Sequence, residues 1–527
     1  MGDLLTLLRE TWRLAVADRA NLASSAAAHL DLVVEALAIA CLIAIPVGIL
    51  ATRSKPVERF AVGLANVLQT VPSLALLGFL LVVFHGAIGK PPALAALVIY
   101  SLLPILKNTI LGLRSVDRGV IEAAEGMGMT GGQRLRLVEL PLAVPVILGG
   151  VRVAAVAAVG MATIAAFIGA KGLGGFIQRG LSTRDARQIL LGAIPAGLLA
   201  LACDAALGEL ERTLDPKRAR ATIVRRVLAI VAVLALLLAA AWGGLGEWRE
   251  WRARADGKTI TIGSKDGGEM ILLGHMMADL VEAHTDLRVD RRMNLNGSLI
   301  CFDALRSGGL DAYVEYTGTA LTAILKKKPL RDPQAVRAIV RDALRDQGIR
   351  VLAPIGFENT FAMLMRRDQA ERWKIRTLSD LRGHRSDIRP GAGPEFMNRL
   401  DGWSGLVAAY GLKFDAEPRE MDRNLLYEAL AQGTIDLAAG DSTDGRIAAL
   451  DLVVLEDDRR YFPPYEAVPL VRDATIRRHP ELAKALDRLS GTIDAATMRR
   501  LNFEIDGKKR RPEDVSREYL KEAGLIP

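Results

Sequence analysis

The sequence predicts a multidomain protein: an all-α polytopic membrane domain followed by an α/β soluble domain long enough for two lobes. Long apolar runs crowd the first half of the 527 residues, whereas strand-length apolar runs alternate with charged helical patterns in the second. Net charge divides along the same line. Residues 1–257 hold 26 Lys+Arg and 18 Asp+Glu, a net of +8, and residues 258–527 hold 42 of each, a net of zero. The pI near 9.4 is therefore a property of the apolar half, where basic residues flank membrane spans. No Lys/Arg-rich face with interleaved aromatics exists, so nucleic-acid binding is not expected. A hydrophobic fraction of 50% excludes a mostly disordered chain, and three cysteines exclude a disulfide scaffold.

A helix needs about 20 apolar residues to cross the hydrocarbon core. Six stretches meet this: about 32–52, 60–85, 93–113, 142–169, 189–208 and 227–246. Pro72 leaves the second as either one kinked helix or two shorter ones. Segment 209–226 carries six basic residues, Arg212, Lys217, Arg218, Arg220, Arg225 and Arg226, which places it in the cytoplasm. By parity, the final span delivers residues 258–527 to the extracytoplasmic side. Trp242, Trp248 and Trp251 around the polar linker suit an interfacial belt or plain surface packing.

From Lys258 onward, strand-like runs at 259–263, 352–355 and 452–455 alternate with helical patterns such as 269–283, 333–347 and 424–432, the signature of an α/β domain. Cys301 is alone in this domain and reads as a small buried hydrophobe. No CxxC, HExxH or GxxxxGK[ST] pattern exists, so no metal site is expected and no P-loop ATPase lies on this chain.

Between the third and fourth spans lies Glu122-Ala123-Ala124-Glu125-Gly126-Met127-Gly128-Met129, followed by Glu139-Leu140-Pro141. Small residues there let a short helix approach another surface closely, although by spacing alone an ordinary loop is the simpler reading. The motif EAAxGMGM followed by ELPLAVPVILGGVR resembles the permease signature of ABC importers. VPSLALLGF (71–79), LLPILKNT (102–109) and ATIAAFIGAKGLGGFIQRGL (162–181) resemble its osmoprotectant branch, for glycine betaine, carnitine and choline, over about residues 30–215. The resemblance implies a permease domain at 1–215 with a cytoplasmic coupling loop at 114–140, where Glu122, Ala123, Gly128 and Pro141 dock onto a separate ATPase subunit. Residues 216–257 are then the final transmembrane helix and linker.

ITIGSKDGGE (260–269), DAYVEYTGTAL (311–321), ENTFAML (358–364), PEFMNRLDGW (394–403), STDGRIAALDLVVLEDD (442–458) and YFPPYEAVPLVR (461–472) resemble the periplasmic substrate-binding proteins of the same importers. The resemblance implies a periplasmic-binding-protein-like clamshell at 258–527, with one lobe at about 258–355 plus 461–527 and the other at about 356–460. A quaternary ammonium has no N–H to donate, so it is held on aromatic faces. By position, Tyr316, Phe361 and Tyr465 fall on that cage, with Asn359 beside it. Lys265, Thr319 and Arg399 fall at the family's carboxylate-binding positions. Taken singly, these residues would be packing aromatics and solvated charges; their joint occurrence favours a site. Tyr313, three residues before Tyr316, is left out because its face is undecided, and Asp444 and Arg446 are expected to pair with each other.

The chain departs from the family at Gly440, where relatives often carry a tyrosine, and at Phe361, which lacks the usual hydroxyl. A missing wall at Gly440 would weaken betaine binding or admit a larger ligand such as carnitine or ergothioneine, a trimethylated betaine of histidine with a thione ring; Trp403 is a candidate replacement wall. The expectation is a fused permease and receptor for a quaternary ammonium compound. It would be homodimeric because one permease domain cannot enclose a pathway, embedded in membrane lipid of a bacterial inner membrane, without a cofactor of its own, and driven by ATP on the partner subunit. Two other classes stand beside it. A membrane-tethered sensor would need no ATPase dock, and an anchored enzyme would need a triad or paired carboxylates that 258–527 does not display.

Overall fold

The structure is a computed structural model and describes residues 2–84, 87–183, 185–214, 223–255, 257–295, 297–384, 386–399, 402–462 and 464–527. It divides into two compact units, Met1–Leu181 with Asp185–Asp256, and Gly257–Pro527 with Ser182–Arg184. Lys217, Arg218 and Arg220, on which the orientation reading leans, lie outside the described residues, as do the side chains of Arg225, Arg226, Trp248 and Trp251.

The first unit is helical. Among the described residues, Arg19–Arg53, Lys90–Arg114, Gly131–Ile168 and Ala186–Leu214 are long and apolar enough to cross a membrane. The pair Lys55–Thr70 and Ser73–Val83 reaches that length together but is bent by 104°. The break falls at Val71-Pro72, where the proline ring removes a backbone donor and disfavours a helical preceding residue; the second predicted span is thus two helices. The last predicted span lies in helix Ile223–Ala255, where the described apolar stretch is Ile230–Gly246.

Small residues mark the closest helix contacts. On Arg19–Arg53, Ala36, Ala40 and Ala44 form a buried seam while Leu42 is 76% exposed. Small residues at helix contacts and large apolar ones outside are what lipid solvation selects, because tails are as apolar as leucine and only close packing favours association. Gly150 illustrates the seam: a Cβ there would lie 2.6 Å from Asn108 Cβ and 2.7 Å from the Pro104 carbonyl oxygen. Ion pairs join the helices at two levels. Lys90 donates to Asp31 at 2.6 Å and Glu35 at 2.8 Å. Arg53 pairs with Glu139 at 2.8 Å, and Arg114 binds Glu58 through two hydrogen bonds. The helices Arg19–Arg53 and Lys90–Arg114 therefore run parallel, and the bent pair between them returns the chain to the starting end.

The second unit contains two five-stranded sheets. The strands are β1 (Thr259–Lys265), β2 (Arg288–Leu295), β3 (Ala312–Tyr316), β4 (Ile349–Val351), β5 (Phe361–Arg366), β6 (Pro390–Ala392), β7 (Arg419–Glu420), β8 (Leu437–Asp441), β9 (Leu452–Val454) and β10 (Ala467–Arg472). Their orders are β2-β1-β3-β10-β4 and β7-β6-β8-β5-β9. The chain crosses between sheets after β4 and returns before β10. The two crossings pair with each other: Glu358 bridges Glu466, the Asn359 N–H donates to the Tyr465 carbonyl at 3.1 Å, and the Ile355 N–H donates to the Ala467 carbonyl at 2.9 Å. A two-stranded crossing with a sheet on either side is a hinge-type connection, at the lobe boundaries expected from sequence.

Each sheet has its own core. Helix Gly268–His284, buried along most of its length, packs on the first sheet with Leu272, Met276 and Leu280 fully enclosed. On β5, Met363 and Met365 face one core and Ala362 and Leu364 the other, the period-two alternation of a strand covered on both sides. Tyr313 faces inward and is fully buried, and Cys301 is a buried thiol.

Overpacking the Gly150 seam tests the helix packing. Gly150→Val should destabilise the permease unit by about 1–3 kcal/mol, read as a lower unfolding temperature in detergent, while Gly160→Val, where a Cβ meets nothing within 4 Å, should leave it unchanged.

Candidate functional site

A cleft of about 670 Å³ opens in the second unit, lined by both lobes. Lys265 closes β1 and Tyr316 closes β3, and these strands are parallel, so both side chains stand at carboxyl ends, where open α/β sheets present their ligand residues. Asn359 lies on the first crossing, Phe361 begins β5, and Tyr465 lies on the return crossing. Lys265, Tyr316, Thr319, Asn359, Phe361, Gly440 and Tyr465 all line the cleft.

The side chains form two groups. In the first, Tyr465 and Phe361 meet edge to face with ring centroids 5.9 Å apart; Phe396 and Phe462 lie 4.9 and 6.2 Å from Phe361. The Arg399 guanidinium sits over this box, 5.1 Å from the Phe361 centroid and 5.8 Å from that of Tyr465. It donates to the Tyr465 hydroxyl at 2.6 Å and to Thr322 Oγ1 at 2.9 Å. In the second group, the Lys265 ammonium lies 4.6 Å from the Tyr316 ring centroid. The Tyr316 hydroxyl donates to Glu269, as does Asn359 Nδ2 at 2.9 Å. Asn359 joins the groups, since its backbone binds Tyr465.

Lys265 lines the cleft already paired: it donates to Glu315 at 2.5 Å, and Glu315 is wholly buried. A buried charge needs such a partner because the interior solvates it poorly. Two other expectations need correcting. Gly440 does not open the cage. It pairs with Ala362 across the ladder, so the two share a face, and a Cβ there would lie 2.5 Å from the Tyr427 hydroxyl and 2.6 Å from Leu364 Cδ1. The glycine makes room for Tyr427 beneath the sheet rather than for ligand above it. Trp403 supplies no wall either, since it stacks on Phe414 at 5.5 Å within the second lobe's core. The expected pairing of Asp444 with Arg446 is present, with Arg446 Nε 2.7 Å from Asp444 Oδ1 and the guanidinium over the Tyr427 ring. Burial works against the Asp444 carboxylate, but the Arg446 hydrogen bonds outweigh it and hold its pKa below the ordinary value.

Glu269 was not singled out from sequence. It sits in the first turn of helix Gly268–His284, where the helix dipole favours a carboxylate. Oε1 accepts from Tyr316 and Asn359, and Oε2 accepts from Thr443 at 2.5 Å and Asn502 at 2.6 Å. Thr443 belongs to the second lobe, so this carboxylate ties the lobes together. Burial raises its pKa, opposed by the hydrogen bonds from Thr443, Tyr316 and Asn502. Tyr316 is likewise held well above the ordinary phenol range by burial and the adjacent carboxylate. The available signal was a glutamate ahead of an apolar run, directly after a Gly-Gly turn. Among the described lining residues, six are acidic (Asp266, Glu269, Asp422, Asp441, Asp444 and Asp506) and three basic (Lys265, Arg446 and Lys509); Arg446 and Asp444 offset each other, and the remaining excess of carboxylates favours a cation.

In the first unit, the segment matched to coupling is ordered by its own caps. The Asp117 carboxylate accepts from the Gly119 N–H at 2.8 Å at the start of Arg118–Gly126, and Thr130 forms a capping box with Gln133. Glu122, Ala123 and Gly128 are exposed while Ala124 is buried, and Pro141 is exposed in the first turn of Leu140–Ile164. Gly128 has φ +77°, a left-handed turn that favours glycine. Glu139 anchors the segment, accepting from Arg134 at 2.7 Å and Arg53 at 2.8 Å.

Helices that cross a membrane, joined on one chain to a hinged two-lobed domain with an acidic, aromatic cleft, define a permease fused to a substrate receptor. Residues 258–522 match the family described as the substrate binding domain of ABC-type glycine betaine transport systems, and residues 44–220 match the binding-protein-dependent transport system inner membrane components. The ergothioneine transport permease/ergothioneine binding protein EgtU of Helicobacter pylori (strain G27) is 33% identical over 91% of this chain and 86% of its own length. The carnitine transport binding protein OpuCC of Listeria monocytogenes serotype 1/2a (strain 10403S) is 33% identical over 50% of this chain and 86% of its own. The carnitine transport permease protein OpuCB of Listeria monocytogenes is 48% identical over 36% of this chain and 87% of its own. The chain belongs to the osmoprotectant family of ABC importers, as a fused permease and substrate-binding subunit.

The Glu269 socket has a pH signature. Because burial raises its pKa, the folded state holds the proton more tightly than the unfolded chain, and the stability due to the protonated form is lost as pH rises through the folded value. Glu269→Gln should therefore gain stability relative to wild type as pH increases from about 4, measured by paired thermal unfolding across pH. A difference independent of pH would show that the carboxyl does not titrate in this way.

Proposed function

We propose that this chain imports a small trimethylammonium zwitterion, of the chemical class of glycine betaine, carnitine and ergothioneine, with residues 258–527 as its extracytoplasmic receptor. The observation that carries the reading is that the cleft's aromatic faces bear cations: Arg399 lies over Phe361 and Tyr465, and Lys265 over Tyr316. A trimethylammonium, which has no N–H, is recognised by that same interaction, and the acid-rich lining supports a cationic ligand. Tyr316, Phe361, Tyr465 and Asn359 would hold the cationic head, while Arg399 and Thr319 would hold the carboxylate end. Ergothioneine is the favoured member, because a relative that carries both halves in one chain, similar over 91% of this one, is named for it.

The permease half would act as a homodimer in a bacterial inner membrane, surrounded by lipid, with two tethered receptors. ATP would be hydrolysed on a separate cytoplasmic ABC subunit docking on Glu122, Ala123, Gly128 and Pro141; no cofactor is required on this chain. Tethering raises the receptor's effective concentration at the permease to the order of millimolar.

Calorimetric titration of the purified full-length chain with glycine betaine, choline, carnitine and ergothioneine tests the ligand class, and no binding below about millimolar would sink it. Tyr465→Ala should weaken any ligand that binds by about 1–2 kcal/mol; unchanged affinity would remove Tyr465 from the site. Ala123→Trp, at an exposed helical position without backbone strain, should abolish ATP-driven uptake in vesicles while leaving ligand affinity intact. Normal uptake would count against the dock.

A further inference from the structure

We infer that Arg152, Asp204 and Glu211 form a charged transit station among the permease helices, where a transported zwitterion trades places with the protein's own ion pair. The inference rests on the ligand class proposed above and adds a second site for it, in the membrane half rather than in the receptor cleft.

Arg152 stands at the midpoint of helix Leu140–Ile164, about 18 Å from either end by the helical rise per residue. Asp204 and Glu211 lie two turns apart on helix Ala186–Leu214 and share one of its faces. Both helices belong to stretches long and apolar enough to cross a membrane. Arg152 Nε and Nη2 donate to the two carboxylate oxygens of Asp204 at 2.6 and 2.7 Å, and Nη1 lies 3.6 Å from Glu211 Oε2. Gly208 shapes the seat. A Cβ there would lie 3.0 Å from Arg152 Cζ, so the missing side chain lets the guanidinium settle against the helix between its two acids. The cluster is nevertheless open: the side chains of Arg152, Asp204 and Glu211 are 33%, 38% and 34% exposed. Uncovered charge at this depth of a membrane helix is costly against lipid, and ionisable residues there face the bundle interior or a water-filled cavity. The open side therefore faces the aqueous path by which a polar solute crosses.

A zwitterion matches this cluster charge for charge. Its carboxylate takes the Arg152 fork through charge-assisted hydrogen bonds. Its trimethylammonium group, which has no N–H, lies against Asp204 and Glu211 by plain electrostatic attraction. Every charge exchanges one partner for another, so none is stranded where the dielectric is low. The solute gains little beyond what the internal pair already had. That balance suits a site of passage, where binding must be favourable enough to enter and weak enough to leave.

The test is ATP-driven uptake of glycine betaine, carnitine and ergothioneine by the full-length chain in membrane vesicles. Combining Arg152→Met, Asp204→Leu and Glu211→Gln removes all three charges, and apolar replacement of a whole ion pair is a change that folds tolerate. The unfolding temperature and receptor affinity of this variant should match wild type, while its uptake rate falls by about tenfold or more. Uptake near the wild-type rate in the folded variant overturns the inference, since a pair that only ties two helices together is dispensable in that way. A second measurement keeps the charges and carries the test if the triple variant does not fold. Gly149→Cys, at a position where a Cβ would lie 3.9 Å from Glu211 Oε1, is made in a chain whose Cys41, Cys203 and Cys301 are replaced by alanine. A water-soluble, membrane-impermeant thiol reagent should modify it, and transported substrate should slow that modification severalfold. No modification, or a disulfide joining two copies at this position, overturns the inference, because the cluster then faces lipid or a second copy. Failure of wild type to take up any of the three compounds would instead overturn the proposed ligand class.

Discussion

A charge removed from water must be compensated within a few ångströms, and the receptor domain is organised around that constraint. Glu315 is wholly buried and accepts from Lys265; Lys265 lies over Tyr316; Tyr316 donates to Glu269; and Glu269 accepts from Thr443 across the cleft. Each group answers the desolvation of the one before it. The chain of contacts starts in the first sheet's interior and ends on the opposite lobe. Removing one member strands its neighbour, which is the expensive event in a low-dielectric interior.

The aromatic box beside this chain follows the same logic with a different partner. Phe361, Phe396 and Phe462 supply apolar bulk, and Tyr465 adds a hydroxyl that fixes Arg399 at 2.6 Å. The permease half meets the constraint by pairing between helices. Lys90 with Asp31 and Glu35, Arg53 with Glu139 and Arg152 with Asp204 are each paired, and small residues such as Ala36, Ala40 and Gly150 let helices approach closely. Charge is paired in both halves, although one is built of long apolar helices and the other around two mixed sheets.

Much of the architecture was legible because it depends on local pattern. Apolar stretches of membrane length, the break at Pro72 and the strand–helix alternation after Lys258 are properties of short windows, and lipid or a sheet core enforces them wherever they occur. The site was legible by type but not by partnership. Lys265, Tyr316, Asn359, Phe361 and Tyr465 do line one cleft, yet Lys265 proves to be paired with Glu315, fifty positions away. Glu269 went unnoticed because its four donors come from residues 316, 359, 443 and 502, and no window contains them.

Gly440 shows where the boundary lies. Its absence of a side chain is plain in the sequence, but which side of the sheet that absence serves depends on the register of β5 with β8, since a shift of one residue turns a side chain to the other face. That register places Gly440 over Tyr427. The sequence by itself determined the helical first half, the α/β second half and the residue types that line the cleft. The tertiary structure alone decided which charges are already paired, which faces carry them and which glycine makes room for what, because pairing and facing arise from contacts between segments distant along the chain.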